Sequence, residues 1–170
     1  SLRNQGRGAG GGWLSHARLG YNFRLSDINC ALGIVQFSRL EEIKTKRKAV
    51  AAYYQKLLAG EDRLVIPTVG KGIDMSWFVF VVRIKNITLE KRNQIMKDML
   101  DEGIQVSNYF APVHLQPFMV DKFGYKPGDF PVADATCNCT VALPFHNNLS
   151  KDDAELVCDT LKKVLDKNRV

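Results

Sequence analysis

No stretch of this 170-residue chain approaches the roughly 20 consecutive apolar residues of a membrane-spanning helix, so no membrane span is expected. The first residues are polar and glycine-rich, with no apolar segment behind them. No secretory leader is therefore expected, and the cytoplasm is the expected compartment. Internal repeats are lacking, and so is low-complexity sequence beyond the glycines at 8 and 10–12. The net charge is +6, but the basic residues are spread along the chain and form no stripe interleaved with aromatic platforms. Nucleic acid is therefore not an expected partner. The densest basic patch, Lys44 to Lys48, reads as a solvated helix face, and a modest positive field suits a phosphorylated small ligand. Cysteine is sparse. Cys30, Cys137, Cys139 and Cys158 have no secretory context to make them disulfides. A zinc set of Cys137, Cys139, Cys158 and His146 matches no common ligand spacing, so buried, reduced thiols are expected and no metal.

What is present is ordinary for a globular domain: 45% hydrophobic and 25% charged residues in a chain long enough for one real core. Ser26 is a good N-cap, and a helical pattern runs from it through Ile28, Leu32, Val35, Leu40 and Ile43. It resumes with Val50, Tyr53, Tyr54, Leu57 and Leu58 and ends at Gly60, with a break expected near Phe37 to Arg39. Leu64 to Pro67 reads as a short strand. Trp77 to Ile84, nearly all apolar and β-branched or aromatic, reads as a central buried strand. Thr88 caps a helix that places Met96, Met99 and Leu100 on one face and stops at Gly103. Ile104 to Tyr109 reads as a further strand. A loop rich in proline, glycine and aromatics follows from Ala111 to Pro131, with one helical turn at Pro117 to Phe123. Val132 to Asn138 suggests a short helix and Thr140 to Leu143 a strand. Ser150 with Asp153 opens an amphipathic helix to the C-terminus.

The order predicts an α+β fold: a long lead-in helix, then a small sheet of three or four strands with helices packed on one face. Three spans are expected: an irregular segment over 1–25, a linking helix over 26–60 and a small α+β domain over 61–170.

The most informative stretch is Gly20 to Gln36. A polar turn carries an amide, Asn22, and a guanidinium, Arg24, directly before a capped helix. Amide N–H₂ groups, guanidinium forks and the unpaired N–H groups of a helix start all favour anions. The bland alternatives are a turn hydrogen bond for Asn22 and an ion pair with Asp27 for Arg24.

These residues resemble the DegT/DnrJ/StrS-type sugar aminotransferases, fold-type-I enzymes dependent on pyridoxal phosphate (PLP). Leu-Arg-Asn-Gln-Gly-Arg at 2–7 resembles the family's Leu-Arg-Asn-His-Gly-Arg. Leu19 to Gly33 resembles Leu-Gly-Tyr-Asn-Tyr-Arg-Leu-Ser-Asp-Ile-Gln-Ala-Ala-Leu-Gly. Leu40 to Tyr54 resembles the run ending in Arg-Arg-x-x-Ala-x-x-Tyr. Pro-Val-His-Leu-Gln-Pro at 112–117, Gly-Asp-Phe-Pro-Val-Ala at 128–133 and Ala142 to His146 resemble further motifs, in the family's order.

The resemblance implies the C-terminal part of such an enzyme, because the lysine that carries the cofactor lies upstream of the first motif. Such a chain alone is expected to be inactive. It implies that Asn22 reaches the PLP phosphate of the partner subunit in a homodimer. Tyr21, Arg24, Tyr109 and His114 are then candidates for the substrate, a nucleotide diphosphate-linked keto-sugar of polysaccharide or amino-sugar biosynthesis. Glutamate is the implied amino donor. A backbone hydrogen bond within the loop is the alternative for His114; His146 reads as structural, and His16 carries no assignment. Two other outcomes fit the resemblance: a non-catalytic regulatory or binding module, and a PLP-dependent sugar dehydratase. Gln5, Phe23 and Asn108, where the family more often has His, Tyr and His, and the insert at 9–16 depart from the pattern and bear on substrate identity.

Overall fold

The computed structural model describes residues 1–8 and 15–170; the glycine run at 10–12 and most of the insert at 9–16 lie outside the described residues. The chain divides into two compact units, Ser1–Glu41 and Glu42–Val170.

In the first unit, the segment 2–7 lies antiparallel to 16–23. Tyr21 N donates to Leu2 O (2.7 Å), Gln5 N to Tyr21 O (2.8 Å), Phe23 N to Arg3 O and Ala17 N to Gly6 O (both 2.9 Å). Two glycines permit this approach. A Cβ on Gly6, which sits at φ +75°, would lie 1.8 Å from the Arg18 carbonyl oxygen, and one on Gly20 would lie 2.0 Å from the Gly6 nitrogen. Helix α1 (Asp27–Ser38) then starts at Ser26, whose Oγ accepts from Asn29 N, and Arg39 closes it by donating to Gln36 O. None of its residues is buried.

The second unit contains α2 (Leu40–Leu57, the first two residues of which belong to the preceding unit), β1 (Leu64–Val65), β2 (Phe80–Ile84), α3 (Leu89–Asp101), a 3₁₀ turn (Val113–Leu115), α4 (Pro117–Phe123), α5 (Pro131–Cys137), β3 (Thr140–Leu143) and α6 (Lys151–Lys167). The long helical pattern from Ser26 is thus two helices separated at Arg39, inside the span where a break is expected. The three strands form an antiparallel sheet in the order β1-β2-β3, with Val82 opposite Val141 and Phe80 opposite Leu143. Those four residues and Ile84 face one core built with Val50, Tyr54 and Leu58 of α2 and its end, Ile95 and Met99 of α3, and Val157, Leu161 and Leu165 of α6. The fold is α+β, with a small three-stranded sheet.

Polar groups fix how the helices dock. Tyr54 Oη donates to Pro144 O at 2.6 Å, joining α2 to the end of β3. The buried Arg92 guanidinium of α3 donates to the carbonyls of Cys137 (3.4 Å) and Thr140 (3.1 Å). Asp98 of α3 accepts from Asn168 Nδ2 at 2.7 Å and Lys167 Nζ at 3.0 Å, tying α3 to the end of α6. Ser150 and Asp153 complete a reciprocal capping box at the start of α6.

Two expectations are corrected. Ile104 to Tyr109 is not a strand: only Ser107 meets the sheet, through paired bonds with Ala142 (2.8 and 3.3 Å). The chain then leaves the sheet edge, and Tyr109 stacks on Phe110. The expected face of α3 holds at Met99, which is buried, and at Met96, which packs against the core, but not at Leu100, which is 60% exposed; Arg92, Ile95 and Asp98 complete the buried face instead. The reason is that Arg92 and Asp98 find carbonyl and amide partners on other elements, which turns the helix toward them. The strands at 64–67 and 77–84 are also shorter than their apolar runs. Trp77 lies in the core ahead of β2, its carbonyl accepting from Arg47.

Candidate functional site

Tyr21, Asn22 and Arg24 stand together in the first unit. The antiparallel pairing of 2–7 with 16–23 presents them on the turn before α1, all three exposed. Arg24 Nε donates to Asn22 Oδ1 at 2.8 Å. This bond differs from the Asp27 ion pair considered above. It uses the amide's acceptor and keeps the amide N–H₂ as a donor beside the remaining guanidinium N–H groups. The local chemistry is therefore donor-rich and suited to an anion. Tyr21 stacks on Phe23 with rings parallel, 4.8 Å between centroids. His16 Nδ1 lies 2.7 Å from the Gln5 carbonyl oxygen, and Asn4 bridges Asn22 across the pairing. The motif at 2–7 is thus the structural partner of the motif at 19–24, which the sequence does not reveal because the insert separates them.

Tyr109 and His114 belong to the second unit, on the segment between the sheet edge and α5. Tyr109 lines a cavity of about 300 Å³ with Phe78, Val106, Ser107, Pro144 and Phe145. Its other neighbour, Phe110 at 4.0 Å between rings, lines a second, mostly apolar concavity of about 450 Å³ with His114, Met119, Tyr125, Phe130 and Cys137. His114 is buried, 7% exposed. Its ring packs against Phe130 (4.8 Å between centroids), and its Nε2 lies 3.1 Å from Oδ1 of Asp134 on α5. Asp134 Oδ2 accepts from Gly128 N at 2.8 Å. Asp134 is a residue that the sequence does not single out. An acidic residue in the first turn of a proline-initiated helix reads as an ordinary dipole partner.

A third concavity, of about 640 Å³, is lined by Arg83, Lys85, Asn86, Thr88, Glu90, Thr136 and Asn138 and contains none of the expected residues. The α3 start beside it is already served by Glu90, whose carboxyl is held below its ordinary value by its own backbone N–H and the Thr88 hydroxyl.

Among the described residues, no group of three or more His, Cys, Asp or Glu is placed to hold a metal ion. The thiols are free. Burial pushes Cys158 up to about 12 and raises Cys139, so both stay protonated near neutrality. His146 sits at the end of β3, its Nδ1 accepting from Asn148 N. No helix among the described residues is long and apolar enough to cross a membrane.

The family model of the DegT/DnrJ/EryC1/StrS aminotransferases matches residues 1–162, and the chain belongs to that family. It is 32% identical over 148 residues to the erythromycin biosynthesis sensory transduction protein EryC1 of Saccharopolyspora erythraea, an overlap of 86% of this chain and 39% of the relative. It is 29% identical over 150 residues to the spore coat polysaccharide biosynthesis protein SpsC of Bacillus subtilis, covering 86% of this chain and 38% of the relative. The apo structure of Spr1654 from Streptococcus pneumoniae, named as a sugar aminotransferase, superposes with a TM-score of 0.88 at 25% identity. It covers 99% of this chain and 42% of that one. The same protein is known in PMP and PLP forms, and PLP is the cofactor of the family. The chain spans about two fifths of the length of these relatives.

Proposed function

We propose that this chain is the C-terminal part of a PLP-dependent aminotransferase that moves an amino group, with glutamate as donor, to a nucleotide-linked keto-sugar of amino-sugar or polysaccharide biosynthesis. The observation that carries the reading is the exposed Asn22–Arg24 pair on the turn before α1. Asn22 spends its acceptor on Arg24, so what it offers outward is a pair of neutral N–H donors. That chemistry fits a phosphate without adding charge. Asn22 would hold the cofactor phosphate of a partner subunit, and Arg24 the diphosphate of the substrate. When bound, PLP supplies the electron sink for amino transfer. Tyr21 would contact the sugar nucleotide from the same turn, and Tyr109 from its own cavity. His114 would act on the substrate through the loop that it anchors. The lysine that carries the cofactor lies outside the matched motifs, and the chain alone is expected to be inactive.

The decisive experiment grafts this chain in place of the matched two fifths of SpsC and assays transfer from glutamate to nucleotide-linked keto-sugars. Transfer that Asn22→Ala weakens, together with PLP retention, supports the reading. A folded, dimeric chimera that retains PLP and transfers nothing sinks it. On the chain alone, PLP titration with borohydride reduction is expected to label lysines in a scattered, sub-stoichiometric way. One lysine labelled stoichiometrically would overturn the expected inactivity. A non-catalytic regulatory role has one observation in its favour, the names of relatives: EryC1 is called a sensory transduction protein, and a Geobacillus stearothermophilus relative a pleiotropic regulatory protein.

A further inference from the structure

The segment 109–131 is rich in aromatics and poor in regular structure, yet it holds a defined shape. Two motifs far apart along it meet at one carboxylate. His114, from Pro-Val-His-Leu-Gln-Pro, brings Nε2 to 3.1 Å from Asp134 Oδ1. Gly128, from Gly-Asp-Phe-Pro-Val-Ala, donates its N–H to Asp134 Oδ2 at 2.8 Å. Phe130 of the same motif packs on the His114 ring, and Tyr125 meets both rings edge-on at 6.5 and 5.4 Å. Nε2 and Oδ1 are closed off from solvent, and among the described residues neither makes an aligned hydrogen bond, so this 3.1 Å contact is the polar approach each has. A buried nitrogen and a buried carboxylate oxygen left without each other would each bear the full cost of desolvation. The pair therefore favours one arrangement of the segment over alternatives that would separate them.

The far end of that segment is Tyr109. Its ring stacks on Phe110, and Phe110 lines the concavity into which His114 is set. Tyr109 also approaches Phe78 at 6.1 Å, across the smaller cavity. A change at Asp134 thus has a route to Tyr109 through His114, the short segment 110–114 that shares its concavity, and the Phe110 ring stacked on Tyr109.

We propose that Asp134 is a positioning residue: by clamping His114 and the Gly128 amide, it sets the placement of Tyr109 at the mouth of the neighbouring cavity. The proposal rests on the reading above only for what Tyr109 meets there. It also assigns His114 to the clamp, so that its effect on a ligand runs through the loop.

The test uses the full chain and NMR. Asp134→Ala removes both the Gly128 hydrogen bond and the His114 contact. Asp134→Asn keeps an acceptor for Gly128 N–H and offers an amide donor to His114. His114→Phe keeps a ring against Phe130 and removes the nitrogen. In Asp134→Ala, exchange of the Gly128 amide is expected to rise by about tenfold or more, with Val82 and Val141 amides still protected. The Tyr109 ring resonances are expected to move in Asp134→Ala and in His114→Phe. They are expected to return to their parent positions in Asp134→Asn. The double variant Asp134→Ala/His114→Phe is expected to move them no further than either single change. Tyr109 resonances unmoved in Asp134→Ala, or displacements that add in the double variant, would overturn the proposal. If Asp134→Ala loses core protection, His114→Phe and Asp134→Asn decide: the first must move Tyr109 and the second must not. An inactive SpsC chimera with this NMR response intact would remove the aminotransferase reading and leave the clamp standing.

Discussion

The two units use their apolar residues in opposite ways. In α1, Ile28, Leu32, Ile34, Val35 and Phe37 are all more than half exposed, and no residue is buried. In the unit from Glu42 onward, Tyr54, Phe80, Val82, Ile95, Met99, Val141 and Leu161 are closed off almost completely. Helices in both units start from side-chain caps, Ser26 in the first and Thr88 and Ser150 in the second. What differs is the number of elements available to cover them: the core-forming helices α2, α3 and α6 and a sheet in the second unit, one helix and a backbone pairing in the first. Apolar periodicity marks a surface that needs cover. Whether cover comes is a matter of tertiary partners. The first unit accordingly holds its turn by main-chain bonds and close glycine contacts, and the second by burial.

The comparison breaks most visibly at the core of the second unit. Phe80→Ala removes a ring packed between Tyr54 (4.9 Å) and Trp77 (5.7 Å) and is expected to cost about 3–5 kcal/mol in urea unfolding, while amides of the 2–7 pairing keep their exchange rates. Next comes Gly20→Ala. Its Cβ would collide with the Gly6 backbone, and a local loss of about 1–3 kcal/mol is expected at the Gln5 and Phe23 amides, with the second unit's exchange unchanged. A comparable loss at Val82 would show that the two units do not unfold separately.

Acid sharpens the second unit alone. The hydrogen bond from Asn168, then that from Lys167, holds the Asp98 carboxyl below its ordinary value. A folded-state value below the unfolded one means that stability is present above about pH 3.9 and is lost as pH falls through that region. The urea midpoint of the parent should therefore fall more steeply below pH 4 than that of Asp98→Asn. Equal slopes would remove Asp98 from the account. The smallest effect is expected at α1: Ile28→Ser, at 83% exposure, should change stability by no more than about 0.5 kcal/mol. A larger loss would mean that α1 is covered in solution.

Much of the fold is legible in the sequence, for definable reasons. Ser26, Thr88 and Ser150 each accept from the residue three positions on, so their helix starts follow from neighbours alone. The break at Arg39, the central strand β2 and the proline-led turn α4 are also local outcomes. The candidate site is legible as residues but not as geometry. Asn22 and Arg24 are next-nearest neighbours, and their hydrogen bond lies within reach of any reading of the turn. His114 is visible as a motif histidine, but its partner Asp134 lies 20 positions away on another helix, and no local spacing in the sequence pairs the two.

Caps, breaks, strand-forming runs and six ordered motifs are properties of adjacent residues, and the sequence by itself determined them, along with the family to which they belong. Which face of α3 is buried, whether Ile104 to Tyr109 joins the sheet, and which carboxylate receives His114 were decided only by the tertiary structure. The first and last depend on a polar group meeting a partner that the fold, and not the neighbouring chain, brings within about 3 Å, and the second on the single Ser107–Ala142 pairing that the fold allows.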